Sequence, residues 1–248
     1  MNGLMWHDLQ WLLRRTPAKV LKEVVDRKGR LMIAGGCIRA CIANEEINDI
    51  DLFACNELEA VSVANTLAPD QDRAKNDKGL LPGIHATDNA FTLTNYRPVV
   101  QLIHRWTFET PEQCIASFDF TIAQAAVWHD GNAWCSIVGD RFYADLAAKR
   151  LIYTSPKRNE EPGGSLLRVL KFYQRGYRIP LDSFGAAIAR MVQAVDFSKI
   201  NNCEAQLAKV LTGLLREVDP NIDPKHIAHL PSESAEAEEA TRTNGKTI

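Results

Sequence analysis

Two short groups of residues in the first quarter of the chain have the types and spacing for phosphate chemistry. Gly35 and Gly36 follow the apolar run Leu31–Ala34 and open a short helical segment. Glycines at such a turn let backbone N–H groups approach a phosphate at a helix start. Asp49 and Asp51 follow, two apart on a predicted strand, so both carboxylates project from one face. A phosphate cradle followed by paired carboxylates is the layout that holds a metal-bound nucleoside triphosphate. Further on, Asp119 is the single acid within the apolar run Phe118–Ile122. From Arg141 to Arg178 the chain carries nine Lys or Arg against three acids, a local charge of +6 that includes Arg168, Lys171 and Arg175. Such a stretch suits a polyanion, a triphosphate or a nucleic acid.

The elements that position these residues can be read from periodicity. Residues 4–28 have apolar side chains at helical spacing, with a break or second start at Thr16–Pro17. Trp6 and Trp11 are expected to pack this segment onto the domain that begins at Leu31. Leu31–Ala34 reads as a strand, then a short helix, then the strand Asp49–Phe53. Glu57–Leu67 reads as a helix returning over a sheet, and residues 69–82 as a polar loop. Ala90–Thr94, Val99–Ile103 and Phe118–Ile122 have strand composition, while Thr110–Pro111 has the look of a capped helix start. Ala125–Trp128 and Trp134–Val138 flank His129–Asp130–Gly131–Asn132 as a hairpin.

From about residue 142 the pattern becomes all-helical. Asp145–Lys149 reads as a short helix. Ser165 is expected to cap a helix running to Gln174. Ser183–Val195 and Cys203–Val218 give two more, the last with Asn201 and Asn202 as capping candidates. The predicted class is therefore α+β: a small mixed β-sheet with helices on one side, followed by a short helical unit. The expected organisation is a head over 1–150, a helical neck or body over 151–230 and a disordered acidic tail over 231–248.

The chain has 248 residues, 46% of them hydrophobic and 24% charged, ordinary values for a water-soluble globular protein. Its net charge of −2 equals the charge of the segment from Ser232 to Ile248. No run approaches the ~20 apolar residues that cross a bilayer, and no secretory signal is recognisable. Six scattered cysteines without zinc spacing read as reduced thiols of a cytoplasmic protein. His85, His104 and His129 read as surface or structural residues.

Gly35–Gly36–Cys37–Ile38–Arg39 with Asp49–Ile50–Asp51–Leu52 resembles the signature of the DNA polymerase β-type nucleotidyltransferases. It is most similar to the branch of poly(A) polymerases and CCA-adding enzymes, which has Gly-Gly-x-x-Arg-Asp and then Asp-x-Asp at this spacing. Phe118–Ile122 resembles that branch's Asp-Phe-Thr-Ile segment, with Asp119 on its aspartate. Leu167–Ile179 resembles its neck helix. Ala40 stands in place of the aspartate after the motif arginine, and Ser117–Phe118 in place of two arginines.

The resemblance implies a polymerase β-like head and a metal-dependent, template-independent transfer of NMP or dNMP from a nucleoside triphosphate to an acceptor hydroxyl. The expected acceptor is a nucleic-acid 3′ end, RNA ahead of DNA, with pyrophosphate released. It assigns Asp49, Asp51 and Asp119 as catalytic and metal-binding residues for two Mg²⁺ or Mn²⁺ ions. Asp119 has a ribose contact as its other reading. Gly35, Gly36, Arg39, Arg168, Lys171 and Arg175 are assigned to the nucleotide. The alternative is an inactive nucleotide- or nucleic-acid-binding sensor or partner subunit. Either version suits a bacterial or phage specialist in conflict or defence systems.

Overall fold

The computed structural model describes residues 2–69, 72–156, 162–200 and 203–215. The proline at 17 divides the N-terminal helical segment into α1 (Trp6–Arg15) and α2 (Ala18–Asp26). β1 (Leu31–Ala34), α3 (Gly36–Ile42), β2 (Asp49–Ala54) and α4 (Glu57–Leu67) come next. The start of α4 is set by Asn56, whose side-chain oxygen accepts from Glu59 N–H at 2.8 Å. β3 (Ile84–Ala86), β4 (Ala90–Leu93) and β5 (Val99–Ile103) lie beyond it. α5 (Pro111–Ala116) begins as its sequence requires, with Thr110 Oγ1 accepting from Gln113 N–H and Pro111 in the first turn. β6 (Ala125–His129) and β7 (Trp134–Val138) form the hairpin. Four helices complete the described fold: α6 (Phe142–Ala147), α7 (Gly164–Gln174), α8 (Leu181–Gln193) and α9 (Glu204–Leu214).

The strands make one mixed sheet of seven in the order β3-β4-β5-β2-β1-β6-β7. β2 and β5 run parallel, and the other neighbours are antiparallel. Alternation along each strand sorts the side chains into two layers. Leu31, Ile33, Ile50 and Leu52 join the main core, with Val20 and Val24 of α2 and Val63 of α4. Met32, Ala34 and Phe53 face the other way, into a smaller cluster with Cys114 and Ile115 of α5. Most helices therefore lie on one side, as expected, and α5 alone among α1–α5 backs the other. Asp49 and Asp51 share the parity of Phe53, so they stand on the less covered face.

Several expectations are corrected. Trp6 and Trp11 are 66% and 45% exposed and do not anchor α1. The inward residue of that helix is Leu12, and Trp11 is turned about 100° from it, with the Arg15 guanidinium 5.1 Å above its ring. Phe118–Ile122 is not a strand. Phe120 makes one isolated bridge to Tyr153, and Thr121–Ala123 is a 3-10 turn that redirects the chain into β6. Residues 84–86, including His85, form the edge strand of the sheet. Ser165 lies inside α7, where Gly163 takes the cap position. Gly163 must be small, because a Cβ there would sit 2.3 Å from the Leu214 carbonyl oxygen at the end of α9. α6 and α8 begin earlier than expected, at Phe142 and Leu181, and Cys203 precedes α9. Asn201, Asn202, part of the linker near 157–161 and the acidic tail lie outside the described residues.

The core continues from the sheet into the helical segment. Phe120 and Tyr177 each pack against Phe172 of α7, with ring centroids 5.9 and 5.4 Å away. This contact closes α7 over the edge of the carboxylate-bearing face.

Candidate active site

Asp49, Asp51, Gly36 and Asp119 line one cavity of about 260 Å³, together with Arg168 and Lys171 of α7. Arg39 and Arg175 also border it. The strand period of two puts both β2 acids on its wall. The spacing Arg168, Lys171, Arg175 puts three cations on one helical face directed at it. Of the residues singled out in the sequence, only Gly35 is not at its surface.

Gly35 has a different task. It caps α3 with φ +81° and ψ −131°, a conformation that residues with a Cβ avoid. Its N–H donates to the Ala125 carbonyl at 3.0 Å, so that amide joins the turn to β6 and is not the phosphate donor expected of it. A Cβ on Gly35 would meet the Phe118 ring at 2.9 Å, whereas one on Gly36 would meet nothing within 4 Å among the described residues. Gly35 shapes the turn, and Gly36 provides the open approach.

The acids make themselves felt on Cys37, which is 2% exposed behind them. Burial pushes this thiol well above its usual range, and the negative charges of Asp51 and Asp49 push it the same way. The two carboxylates on one strand face offer oxygen ligands of the kind a hard divalent cation takes, and the basic face of α7 lines the same cavity.

Asp119 stands on the cavity wall with an arginine partner. It is 3% exposed, and Arg168 Nε donates to its Oδ2 at 2.6 Å. Among the described residues, no group of three His, Cys, Asp or Glu side chains is spaced to hold a metal ion. Arg39, at the same cavity, has two contacts of its own. Its Nη2 lies 3.3 Å from Glu45 Oε2, and its guanidinium lies 4.8 Å over the Phe172 ring. Burial depresses its pKa, which Glu45 opposes. Arg39 thus borders the cavity while tying α3 to α7.

Sequence reasoning missed Gln101 and Trp106, which also line the cavity. A signal for Gln101 was present: it is the one polar residue in the apolar strand Val99–Ile103. Trp106 comes after that strand and lies 5.3 Å under the Arg105 guanidinium. It carried no comparable pattern.

This fold is that of the polymerase β-type nucleotidyltransferases, in the form seen in CCA-adding enzymes. The structure superposes on the Thermotoga maritima CCA-adding enzyme in complex with tRNA at a TM-score of 0.51, with 17% identity over 86% of this chain and 51% of that one. A CCA-adding enzyme with ATP gives 0.51, with 19% identity over 85% of this chain and 50% of the other. A tRNA-processing enzyme in an apo form gives 0.52, with 17% identity over 90% and 65%. At these identities the likeness is one of fold. By sequence, residues 8–149 match the Gabija anti-defense 2 family, and the chain belongs to that family. The curated relative Gabija anti-defense 2 of Bacillus phage SPbetaL7 is 26% identical over 171 residues, 66% of this chain and 38% of that protein. The chain thus spans less than two fifths of the length of that relative. Among the described residues, no helix is long and apolar enough to cross a membrane.

Proposed function

We propose that this chain is a metal-dependent, template-independent nucleotidyltransferase acting in phage counter-defence against Gabija. It transfers NMP or dNMP from a nucleoside triphosphate to an acceptor hydroxyl and releases pyrophosphate. The observation that carries this reading is the cavity in which Asp49 and Asp51 share one strand face with the Gly36 turn and the cationic face of α7. The family supports the biological setting through its anti-defence relative. A nucleic-acid acceptor, RNA ahead of DNA, is supported by fold relatives described in complex with tRNA, CTP and ATP. A cytoplasmic place of action agrees with six cysteines in the thiol form.

Asp49 and Asp51 would hold Mg²⁺ or Mn²⁺, two ions in the full site. When bound, these ions neutralise the triphosphate and help ionise the attacking hydroxyl. Gly36 leaves space for a phosphate at the start of α3. Lys171 and Arg175 offer charge-assisted hydrogen bonds to the phosphate oxygens. Asp119 acts as the anchor of Arg168, fixing the direction in which that guanidinium meets the ligand.

The test is incorporation of labelled NTPs and dNTPs into short RNA, DNA and tRNA acceptors with Mg²⁺ or Mn²⁺. Labelling that is abolished in Asp49→Asn and Asp51→Asn supports the enzyme. A second reading, nucleotide binding without transfer, is favoured by one observation: an amide, Gln101, stands beside Asp51 on the neighbouring strand. Divalent-dependent nucleotide binding with no product on any acceptor would select it.

A further inference from the structure

On the cavity face of the sheet, Asp51 of β2, Gln101 of β5 and Thr92 of β4 stand in one row. Asp51 is opposite Gln101 in the parallel ladder, and Gln101 is opposite Thr92 in the antiparallel one. Residues in register on neighbouring strands share a face, so all three side chains project the same way. Gln101 is 3% exposed and Thr92 is 2% exposed. Neither Gln101 Nε2 nor Thr92 Oγ1 has a hydrogen-bond partner among the described residues, so the two do not satisfy each other.

A buried amide donor without an acceptor is destabilising, and folded proteins rarely keep one that has no use. A leucine would fill the space in this apolar strand without that cost. Gln101 borders the cavity that Asp49, Asp51, Arg168 and Lys171 also line. At this position a side-chain amide has two chemical advantages over an acid. It can donate a hydrogen bond to an anion, and it adds no negative charge next to Asp51. The part of a nucleotide that belongs beside the carboxylate pair is the phosphate chain, because any bridging cation would sit there.

We propose that Gln101 is a ligand-contacting residue of this site, its side-chain N–H donating to a phosphate oxygen of the bound nucleotide beside the ion-holding pair Asp49 and Asp51. The proposal rests on the nucleotide-binding reading above and adds the residue that recognises the phosphate. Its chemistry is independent of the base, so it applies to any nucleoside triphosphate and to inorganic tripolyphosphate.

The experiment is calorimetric titration of the full chain with MgATP and with magnesium tripolyphosphate, comparing wild type, Gln101→Leu and Gln101→Glu. Loss of a hydrogen bond to a charged group weakens binding by roughly tenfold or more. Gln101→Leu should therefore lose at least that factor for both probes, with a melting temperature equal to or above wild type. Gln101→Glu should also weaken both probes, while binding free Mn²⁺ more tightly because a third carboxylate joins Asp49 and Asp51. Unchanged affinity in Gln101→Leu overturns the proposal and leaves the nucleotide reading standing. A loss confined to MgATP also overturns it, because it would place the contact on the sugar or base. A lowered melting temperature with unchanged affinity would make Gln101 a packing residue. If wild type binds neither probe, the nucleotide reading itself fails, and the proposal with it.

Discussion

Arg168 of α7 donates through Nε to Asp119 Oδ2 at 2.6 Å, joining the neck helix to the segment that precedes β6. The carboxylate is 4% exposed at the side chain and the guanidinium 21%, so water screens the pair little. Removing the arginine takes a charge-assisted hydrogen bond from a buried carboxylate, whereas removing the acid leaves a cation that can reach the cavity. Arg168→Ala should therefore cost about 3 kcal/mol of stability and Asp119→Asn less. Chemical denaturation of the two single variants and the double variant measures both costs and their coupling. Equal and negligible costs would show that the pair does not hold the helix.

Gly35→Ala tests the turn. The substitution forces a Cβ into a backbone with φ +81° and to within 2.9 Å of the Phe118 ring. It should destabilise the protein by about 1–3 kcal/mol from backbone strain alone. Adding Phe118→Leu should recover the steric part and leave the strain, which urea midpoints of the single and double variants would separate.

Arg39 distinguishes support from phosphate contact. Tyr177 O–H donates to Glu45 Oε1 at 2.9 Å, while Glu45 Oε2 faces Arg39. Tyr177→Phe should cost about 1.5–3 kcal/mol, the net worth of a hydrogen bond to a charged group. Glu45→Gln should leave MgATP affinity unchanged while lowering the melting temperature. A large loss of affinity in Glu45→Gln would mean that this network orders the ligand site directly.

Acid should destabilise the fold through Asp145. Burial acts to raise its pKa, but hydrogen bonds from Arg141, Thr121 and Arg150 outweigh that and hold the carboxyl below its ordinary value. A folded-state pKa below the unfolded one means stability is fully present above the unfolded pKa of about 3.9 and is lost as pH falls through the folded pKa. Asp145→Asn should thus be less stable at pH 7 by about 1–3 kcal/mol and lose less on acidification below about pH 4. A melting-temperature profile against pH for both proteins gives the comparison.

The chain alone determined the parts that depend on near neighbours. The strand Leu31–Ala34, the bounds of α4, the Thr110–Pro111 start of α5 and the hairpin around Gly131 come from alternation, caps and turns. The shared face of Asp49 and Asp51 comes from the strand period of two. These are short-range consequences of backbone geometry and can be read without a partner. Relationships across space were decided only by the tertiary structure. Asp119 finds Arg168 49 residues away, and Gln101 comes beside Asp51 through the parallel pairing of β2 with β5. Phe118–Ile122 has a strand's composition and becomes a bridge and a turn, because its backbone partners come from residues 152–154. The opening pair of glycines shows the division most clearly. Their position at the turn was legible in the sequence, but only the packed sheet commits the Gly35 amide to Ala125 and leaves Gly36 open to the cavity, because a backbone donor takes whichever acceptor the fold brings to it.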